Sequence, residues 1–321
     1  MGSTHLDAFA KMEGVEVAAV CTHNPQALTG AFQHSGGNLN RETTVHDLSG
    51  VRKYSDWREL VGDADLDAVD ICLPTDLHAP VATAALEAGK HVLCEKPLAL
   101  TTADCEAMTA EAKKHNRVLM AGQVLRFWPE YLHLERFVKS REYGSILSAT
   151  FVRQCGLPDW SRWLLDENRS GGAVLDLLIH DIDQALWLFG EPDRIAAKSL
   201  GSIDAVTASF IYPNGPQVRV QGGWFAAGSA LSMTFQVRAE RAELELTPTG
   251  LSLSNQAGQR NQIAVMGGDA YETELAYFVR CCRTNSQPER CMPEDSGRAV
   301  KAALLMKQSR ALGGEQLKCG L

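Results

Sequence analysis

The sequence lacks several features that would assign it to a particular class of protein. Its 321 residues include no apolar run long enough to span a membrane, and its start lacks the basic stretch and apolar core of a secretory signal. It has no basic block and a formal net charge of −8, which argues against a nucleic-acid partner. With 45% hydrophobic and 22% charged residues, a soluble cytoplasmic protein of two domains is expected.

The nine cysteines also lack an informative pattern. None forms a C-x-x-C pair, and the adjacent Cys281 and Cys282 suit neither a disulfide framework nor a zinc site. Reduced thiols are therefore the expectation, and no metal site is predicted from their spacing.

Strands and helices alternate over the first 123 residues. Apolar, β-rich runs predict strands at Val15–Cys21, Ala68–Pro74, His91–Glu95 and Arg117–Gly122. Helices are expected between them at Pro25–Gln33 (ending near Gly36–Gly37), Asp56–Val61, His78–Ala88 and Thr101–His115. This alternation predicts a parallel, doubly wound α/β sheet.

From Gln123 the pattern changes. Helices are predicted at Pro129–Ser140, Val174–Phe189, Tyr271–Arg283 and Gly297–Arg310. Strands without long helices between them are predicted at Ile195–Leu200, Ala205–Tyr212, Gln217–Phe225, Leu231–Arg238 and Ala242–Leu246. Together with a strand at Ile146–Cys155, they predict an α+β domain with a large, mainly antiparallel open sheet.

The segment Gly89–Pro97 places Lys96 where a buried strand runs into a proline. A lysine there lies at the carboxyl edge of a parallel sheet, where open α/β sheets bind ligands. If its surroundings desolvate it, its pKa falls and it can move protons near neutral pH. The alternative is an ordinary solvated lysine on a turn.

A second polar pair lies in the apolar segment Ser170–Asp183. On one continuous helix, Asp176 and His180 are four residues apart and share a face. The carboxylate would raise the pKa of the histidine and orient its ring. The alternative is a helix in which the two merely satisfy each other, and Asp181 and Asp183 are expected to face solvent or bond to nearby backbone.

Together these segments resemble one family closely. Gly-Lys-His-Val-Leu-Cys-Glu-Lys-Pro at 89–97 and Gly-Gly-x-x-x-Asp-x-x-x-His-x-Ile-Asp at 171–183 resemble the Gfo/Idh/MocA family of glucose–fructose oxidoreductase and inositol dehydrogenase. The resemblance implies a Rossmann domain over 1–122 and a substrate-binding and oligomerisation domain over 123–321. It implies an NAD- or NADP-dependent oxidoreductase that transfers a hydride between the nicotinamide and a secondary hydroxyl of a sugar, cyclitol or related polyol.

The resemblance also implies roles for single residues. Lys96, Asp176 and His180 would be catalytic, with either Lys96 or His180 as the main proton carrier. The cofactor-binding residues would be Gly2, Thr22, Pro74, Thr75, His78, Glu95, Lys96 and Gln123. Arg126 and Trp163 would bind substrate together with Asp176 and His180, and the protein would be a homodimer or homotetramer.

The chain departs from the family pattern in two places. It opens at what would be the third glycine of the Gly-x-Gly-x-x-Gly fingerprint, Gly2, without the first strand. We therefore expect the natural product to start upstream, and Val15–Cys21 and Ala68–Leu73 to leave an edge unpaired or to pair directly. Thr22 stands where the ribose-binding acid belongs, which removes a strong preference for NAD, but no arginine is beside it to hold a 2′-phosphate. The resemblance to the family favours NAD and leaves NADP open.

Two other functions compete with a dehydrogenase. A non-catalytic member of the same fold would bind a dinucleotide as a sensor or regulator, and the missing first strand favours it. An inactive truncated fragment is the third possibility. The retained Lys96, Asp176 and His180 favour the enzyme.

Overall fold

The computed structural model of the chain describes residues 1–30, 45–201 and 203–320. They divide into two compact units, one of Met1–Val124 with Gly268–Gly297 and one of Leu125–Gly267 with Arg298–Leu321. The last three residues of the predicted helix Pro25–Gln33 and its end at 36–37 lie outside the described residues. Over the described part of that range only Ala27–Thr29 is helical, as a short 3-10 turn, so the α-helix predicted there is wrong. No described helix is both long and apolar enough to cross a membrane.

The first unit has the alternating order expected of a doubly wound domain. Its strands are β1 (Ala19–Cys21), β2 (Arg52–Tyr54), β3 (Ala68–Ile71), β4 (His91–Glu95) and β5 (Leu119–Gly122). Its helices are α1 (Gly2–Phe9), α2 (Trp57–Gly62), α3 (His78–Glu87) and α4 (Thr102–Lys114), with α10 (Ala270–Thr284) and the start of α11 (Pro293–Ala311) from the end of the chain. All strand pairs in this unit are parallel within the described residues, which confirms the predicted class.

The parallel strands form two separate pieces of sheet. β1 pairs with β2, whereas β3, β4 and β5 form a three-stranded sheet in that order. No described residue pairs β1 with β3, so the direct pairing considered above does not form and β3 is an edge strand of its sheet. The strand predicted at Val15–Cys21 is accordingly short, with only Ala19–Cys21 in extended pairing.

Local signals explain where the helices of this unit begin and end. The Asp56 carboxylate accepts a hydrogen bond from the Arg58 N–H at the start of α2, and the Thr101 hydroxyl accepts one from the Asp104 N–H at the start of α4. Gly89 follows α3 with a φ of +78°, the left-handed conformation that glycine adopts without strain. The chain can therefore turn directly from α3 into β4.

The second unit is built on a nine-stranded sheet in the order β13-β12-β11-β10-β6-β9-β8-β7-β14. These strands are β6 (Ile146–Gly156), β7 (Arg194–Ser199), β8 (Asp204–Ile211), β9 (Gln217–Phe225), β10 (Ser232–Ala239), β11 (Ala242–Thr247), β12 (Gly250–Asn255), β13 (Arg260–Gln262) and β14 (Leu317–Lys318). Within the described residues only β6 and β9 pair in parallel, so the predicted mainly antiparallel sheet is confirmed. The sequence pattern did not predict β12, β13 or β14.

Five helices precede β7 in this unit: α5 (Pro129–Ser140), α6 (Arg162–Leu165), α7 (Glu167–Ser170), α8 (Gly172–Asp176) and α9 (Ile179–Phe189). The prediction of a single helix at Val174–Phe189 is wrong, because a turn at Leu177 and Leu178 interrupts the helix. The Leu178 N–H bonds to the Ala173 carbonyl, five residues back. The break lets Leu177 pack in a buried cluster with Cys155, Ala173 and Trp224 while Leu178 is buried as well.

The expectation that Asp181 and Asp183 face solvent or bond to backbone is also wrong. Both are buried on α9, and each forms a two-pronged ion pair with a buried arginine from another element. Arg153 of β6 donates to Asp181 over 2.7 and 3.2 Å, and Arg126 donates to Asp183 over 2.9 and 2.6 Å. Because each charge is compensated, the carboxylates can be buried, and they fix α9 in place.

We expect Asp181→Ala to destabilise the protein by about 3–5 kcal/mol, because it leaves the buried Arg153 guanidinium without its counter-charge. Urea unfolding followed by circular dichroism measures this loss. The matched control is the double change Arg153→Met with Asp181→Leu, which removes both charges and should recover most of the stability. A loss below about 1 kcal/mol for Asp181→Ala would contradict a paired role for this carboxylate.

Candidate functional site

Lys96 lies at the carboxyl end of β4, as the sequence predicts. Every residue from Val92 to Ala99 is buried except Lys96, which is partly exposed. The following Lys96–Pro97 peptide bond is cis. Lys96 is thus the one partly exposed residue of an otherwise buried strand and loop, at the edge where parallel sheets bind ligands.

His78 connects the loop that follows β3 to the loop that carries Lys96. Its Nδ1 is 2.8 Å from the Pro97 carbonyl oxygen, and its Nε2 is 2.9 Å from that of Leu73. Burial lowers the pKa of His78 below its usual value, although both carbonyls favour the protonated ring. With only 1% of its surface exposed, His78 acts here as a support for the two loops.

Glu95 is buried beside Lys96 and is held on both of its oxygens. Oε2 accepts a hydrogen bond of 3.0 Å from the Lys96 N–H, and Oε1 is 3.2 Å from His5 Nε2 on α1. Burial would raise the pKa of Glu95, but the contact with His5 and the charge of Lys96 lower it to about 2. Glu95 is therefore an ionised carboxylate that fixes the backbone at Lys96.

The other predicted cofactor residues of this edge follow β3 and β5. Pro74 and Thr75 begin the turn after β3, with Thr75 buried and Pro74 partly exposed. Gln123 follows β5, is buried, and donates to Ser296 Oγ over 3.2 Å. A Cβ on Gly122 would lie 3.2 Å from Glu95 Cα, so glycine allows β5 to approach the end of β4 closely.

Gly2 and Thr22 lie at two further points of the first unit. Gly2 is the first residue of α1, and a Cβ there would lie 3.8 Å from that of Cys72, an ordinary contact distance. Thr22 follows β1, and its hydroxyl accepts a hydrogen bond of 3.1 Å from the Asn24 N–H. The turn that holds Thr22 thus presents a hydroxyl where the family usually has a carboxylate.

In the second unit, Asp176 ends α8 and His180 lies in the first turn of α9. They lie on two short helices joined by the turn at Leu177 and Leu178. The prediction that both residues share one face of a single helix is therefore wrong. From Ser170 to Ala185 every residue is buried except Asp176 and His180. These two polar side chains are the part of the segment that solvent reaches.

The start of α8 is fixed by charged side chains around the Gly171–Gly172 turn. Both glycines have a positive φ, and a Cβ on Gly172 would lie 2.7 Å from Asp204 Oδ2. Asp204 accepts the Ala173 N–H over 2.6 Å and pairs with Arg310 over 2.5 Å, while Lys307 donates to the Gly171 carbonyl over 2.8 Å. This arrangement sets the position of α8 and therefore of Asp176.

The two predicted substrate residues differ in their surroundings. Arg126 is buried in its ion pair with Asp183, and its guanidinium carbon lies 4.1 Å from the centre of the Trp187 ring. Trp163 lies on α6 and is partly buried. The contacts of Arg126 give it a structural role, and substrate binding by Arg126 and Trp163 stays a prediction.

A cavity of about 390 Å³ opens beside the start of α8. Its charged lining residues are Glu167, Asp204 and Arg310, and they are engaged in ion pairs with one another or with Lys307. Asp176 and His180 do not line it. Its charged side chains support α8, and its lining includes no lysine or histidine that could exchange a proton with a substrate.

Sequence reasoning had missed two residues that support the site. His5 contacts Glu95 from α1, and Asp204 caps α8 from β8. Their partners lie 90 and 31 residues away along the chain. No short-range spacing in the sequence therefore signals either contact.

Comparison with protein families and known proteins gives consistent matches along the chain. Residues 1–123 match a family model described as "Oxidoreductase family, NAD-binding Rossmann fold". Residues 131–245 match one described as "GFO/IDH/MocA C-terminal domain". The two matches together cover well over half of the chain.

Two curated relatives illustrate the similarity. The chain is 38% identical over 151 residues to levoglucosan dehydrogenase of Pseudarthrobacter phenanthrenivorans, a match over 44% of this chain and 38% of that protein. It is 33% identical over 193 residues to inositol 2-dehydrogenase of Salmonella paratyphi B, over 60% of this chain and 52% of that protein. The matches thus span about half or less of the length of these relatives.

Among solved structures, a levoglucosan dehydrogenase in complex with NADH and levoglucosan has a similar fold. Its TM-score is 0.84, with 22% sequence identity, and the alignment covers 100% of this chain and 97% of the other. At this level of identity the match shows that the two proteins share a fold.

We expect His78→Phe to destabilise the protein by about 1–3 kcal/mol, because the ring keeps its volume while a buried carbonyl loses its donor. The same change should lower any activity that depends on Lys96, since the Pro97 carbonyl is no longer held. Urea unfolding measures the first effect. His23→Phe, at an exposed site in the same unit, is the control, and equal stability of the two variants would contradict the supporting role of His78.

Proposed function

Because the chain belongs to the Gfo/Idh/MocA oxidoreductase family, we propose that it is a nicotinamide-dependent dehydrogenase of sugars, cyclitols or related polyols. This membership confirms the resemblance identified from residues 89–97 and 171–183. The proposed reaction transfers a hydride between the nicotinamide and a secondary hydroxyl. The levoglucosan and inositol dehydrogenases among the relatives support this class of substrate.

The observation that carries the proposal is the pattern of burial around the three candidate catalytic residues. Lys96 in the segment 92–99, and Asp176 and His180 in the segment 170–185, are the only residues of these ranges that are not buried. A side chain that served packing alone would be buried like its neighbours. An amine, a carboxylate and an imidazole at these partly exposed positions are the groups that proton transfer and hydroxyl binding require.

The first unit has the residues to bind a dinucleotide. The carboxyl ends of β3, β4 and β5 lie at one edge, and this edge carries Thr75, Glu95 and Gln123 with Pro74 in the adjoining turn. Such an edge is the ligand-binding side of an open parallel sheet. When bound there, a nicotinamide cofactor supplies the hydride acceptor. We propose cofactor contacts for these residues, for Gly2, Thr22 and Lys96, and a supporting role for His78.

In this proposal a side chain of the protein accepts the proton that the substrate hydroxyl loses. Oxidation of an alcohol releases a proton from oxygen as the hydride leaves carbon, so a base must accept it. Lys96 and His180 are the two candidates, and Asp176 would hold the substrate hydroxyl or orient His180. Glu95 fixes the Lys96 backbone, while Arg153 and Arg126 fix the helix that carries His180. Arg126 and Trp163 are proposed to border the substrate.

We further propose that the chain forms a homodimer or homotetramer in the cytoplasm. The domain bounds 1–122 and 123–321 stay a prediction, and the compact units differ from them in that Gly268–Gly297 belongs to the first unit. The nine-stranded sheet supports the oligomer, because along β10 and β11 one face is buried and the other carries polar side chains open to a partner. Light scattering of the purified protein measures the oligomeric state.

A panel of sugars and cyclitols, followed by the absorbance of the reduced nicotinamide with each cofactor, tests the proposed function. We expect turnover of at least one polyol. Cofactor binding without any turnover would favour the non-catalytic sensor instead. Absence of both binding and turnover would overturn the proposal.

We expect Lys96→Met to lower kcat by about 10²–10⁴-fold, the contribution typical of a positioned proton-transfer group. The thermal midpoint should stay near that of the unchanged protein, because Lys96 lies outside the buried packing of its segment. Lys114→Met, on the exposed end of α4, is the control and should leave kcat unchanged. Full activity of Lys96→Met would exclude this residue as a proton carrier.

We expect kcat/KM to be at least about tenfold higher with NAD than with NADP, a difference of about 1.4 kcal/mol. Thr22 offers the ribose a hydroxyl, and the segment Cys21–Asn24 holds no arginine to neutralise a 2′-phosphate. Initial rates at matched cofactor concentrations give the ratio. Equal or higher efficiency with NADP would show that another residue binds the phosphate.

A further inference from the structure

A second cluster of chemically active side chains lies in the first unit, on α1 and at the end of β3. His5 Nδ1 is 2.9 Å from Asp70 Oδ2 and 3.4 Å from Cys72 Sγ. The Cys72 sulfur is 3.6 Å from the same Asp70 oxygen. These three atoms form a triangle with sides of 2.9, 3.4 and 3.6 Å, and neither Asp70 nor Cys72 has a part in the proposed reaction.

The triangle has the dimensions of one face of a tetrahedral metal site. Zinc bonds of about 2.0 Å to nitrogen and oxygen and about 2.3 Å to sulfur place tetrahedral ligand atoms about 3.3–3.5 Å apart. The three observed separations lie within about 0.4 Å of these values. We propose that His5, Asp70 and Cys72 bind a divalent cation of the zinc class, for which imidazole, thiolate and carboxylate are all suitable ligands.

The surroundings of His5 match those of a metal-binding histidine. Its other ring nitrogen, Nε2, faces Glu95 Oε1 at 3.2 Å. Histidines that bind a metal through one nitrogen commonly donate the other N–H to a carboxylate, which fixes the tautomer and the orientation of the ring. Glu95 occupies that position, so the site has both a set of ligands and a supporting carboxylate.

Glu274 on α10 supplies an independent reason to expect a cation. Its side chain is fully buried, and neither carboxyl oxygen has a hydrogen-bond partner among the described residues. Tyr271, three residues before Glu274 on α10, has its ring centre 6.2 Å from that of His5, so Glu274 lies on the face of α10 that is turned toward His5. A buried carboxyl without a partner is costly, and a divalent cation is the kind of partner this cluster lacks.

A protonated His5 that bridges Asp70 and Glu95 is the alternative explanation of the cluster. It accounts for both ring nitrogens and leaves the Cys72 thiol only its long contacts with Asp70 and His5. A cation would use the imidazole, the carboxylate and the thiolate together. The site would join α1 to β3. Metal binding is measured without substrate or cofactor, so its test is independent of the proposed enzymatic activity.

The test uses the full chain, stripped of metal with a chelator and titrated with Co²⁺, whose bond to a thiolate gives a near-ultraviolet charge-transfer band. We expect the band to saturate at one Co²⁺ per chain and to disappear when Zn²⁺ displaces it. Cys72→Ser should abolish the band, while Cys21→Ser, at a partly exposed thiol of the same unit, should keep it. Glu95→Gln should weaken Zn²⁺ binding by about 10–100-fold, the effect typical of a carboxylate behind a ligating histidine.

Circular dichroism of each variant shows whether it is folded, and the unchanged protein provides a test that needs no variant. Absence of saturable Co²⁺ binding by the stripped protein would overturn the proposal. A band that survives in folded Cys72→Ser, or one lost in folded Cys21→Ser, would overturn it as well, because another thiol would then be the ligand.

Discussion

Compensation of buried charge is the constraint on which the organisation of both units depends. An ionised group removed from water without a partner costs several kcal/mol, so each buried charge must find one. In the second unit, Arg153 and Arg126 pair with Asp181 and Asp183 and thereby fix α9. In the first unit, His5 and the Lys96 N–H hold Glu95. Asp181 adjoins His180, Asp183 lies three residues beyond His180 on the same helix, and Glu95 adjoins Lys96, so compensation of charge also positions the candidate catalytic residues.

The sequence was informative wherever a structural signal is local. The alternation of apolar runs predicted β3, β4 and β5, and the helices predicted to begin at Asp56 and Thr101 begin directly after those residues, which cap them. The break at Leu177 and Leu178 was not predictable in the same way. The residues from Val174 to Phe189 fit one helix by periodicity, and the break arises from the packing of Leu177 against Cys155 and Trp224, which are distant in sequence. Tertiary packing therefore decided what local propensity left open.

For the candidate site, the sequence indicated which residues carry chemistry but not what surrounds them. Lys96, Asp176 and His180 were identified from their segments, yet their exposure within buried ranges required the fold. Asp181 and Asp183 were misjudged because their arginine partners lie 28 and 57 residues away. Cysteine spacing likewise indicated no metal site, because spacing detects ligands that are close in sequence. His5, Asp70 and Cys72 meet only after α1 packs against β3.

His5 links the two proposals, and the geometry of its ring keeps them separable. A cation bound at Nδ1 requires that the ring proton reside on Nε2, which is the nitrogen that faces Glu95. The contact that holds Glu95, and through it the Lys96 backbone, therefore exists with the cation and with a protonated ring alike. Metal binding changes the partners of Asp70 and Cys72 while the support of Lys96 is conserved. The proposed metal site therefore lies beside the loop that carries Lys96, and the contact that supports this loop does not depend on the metal.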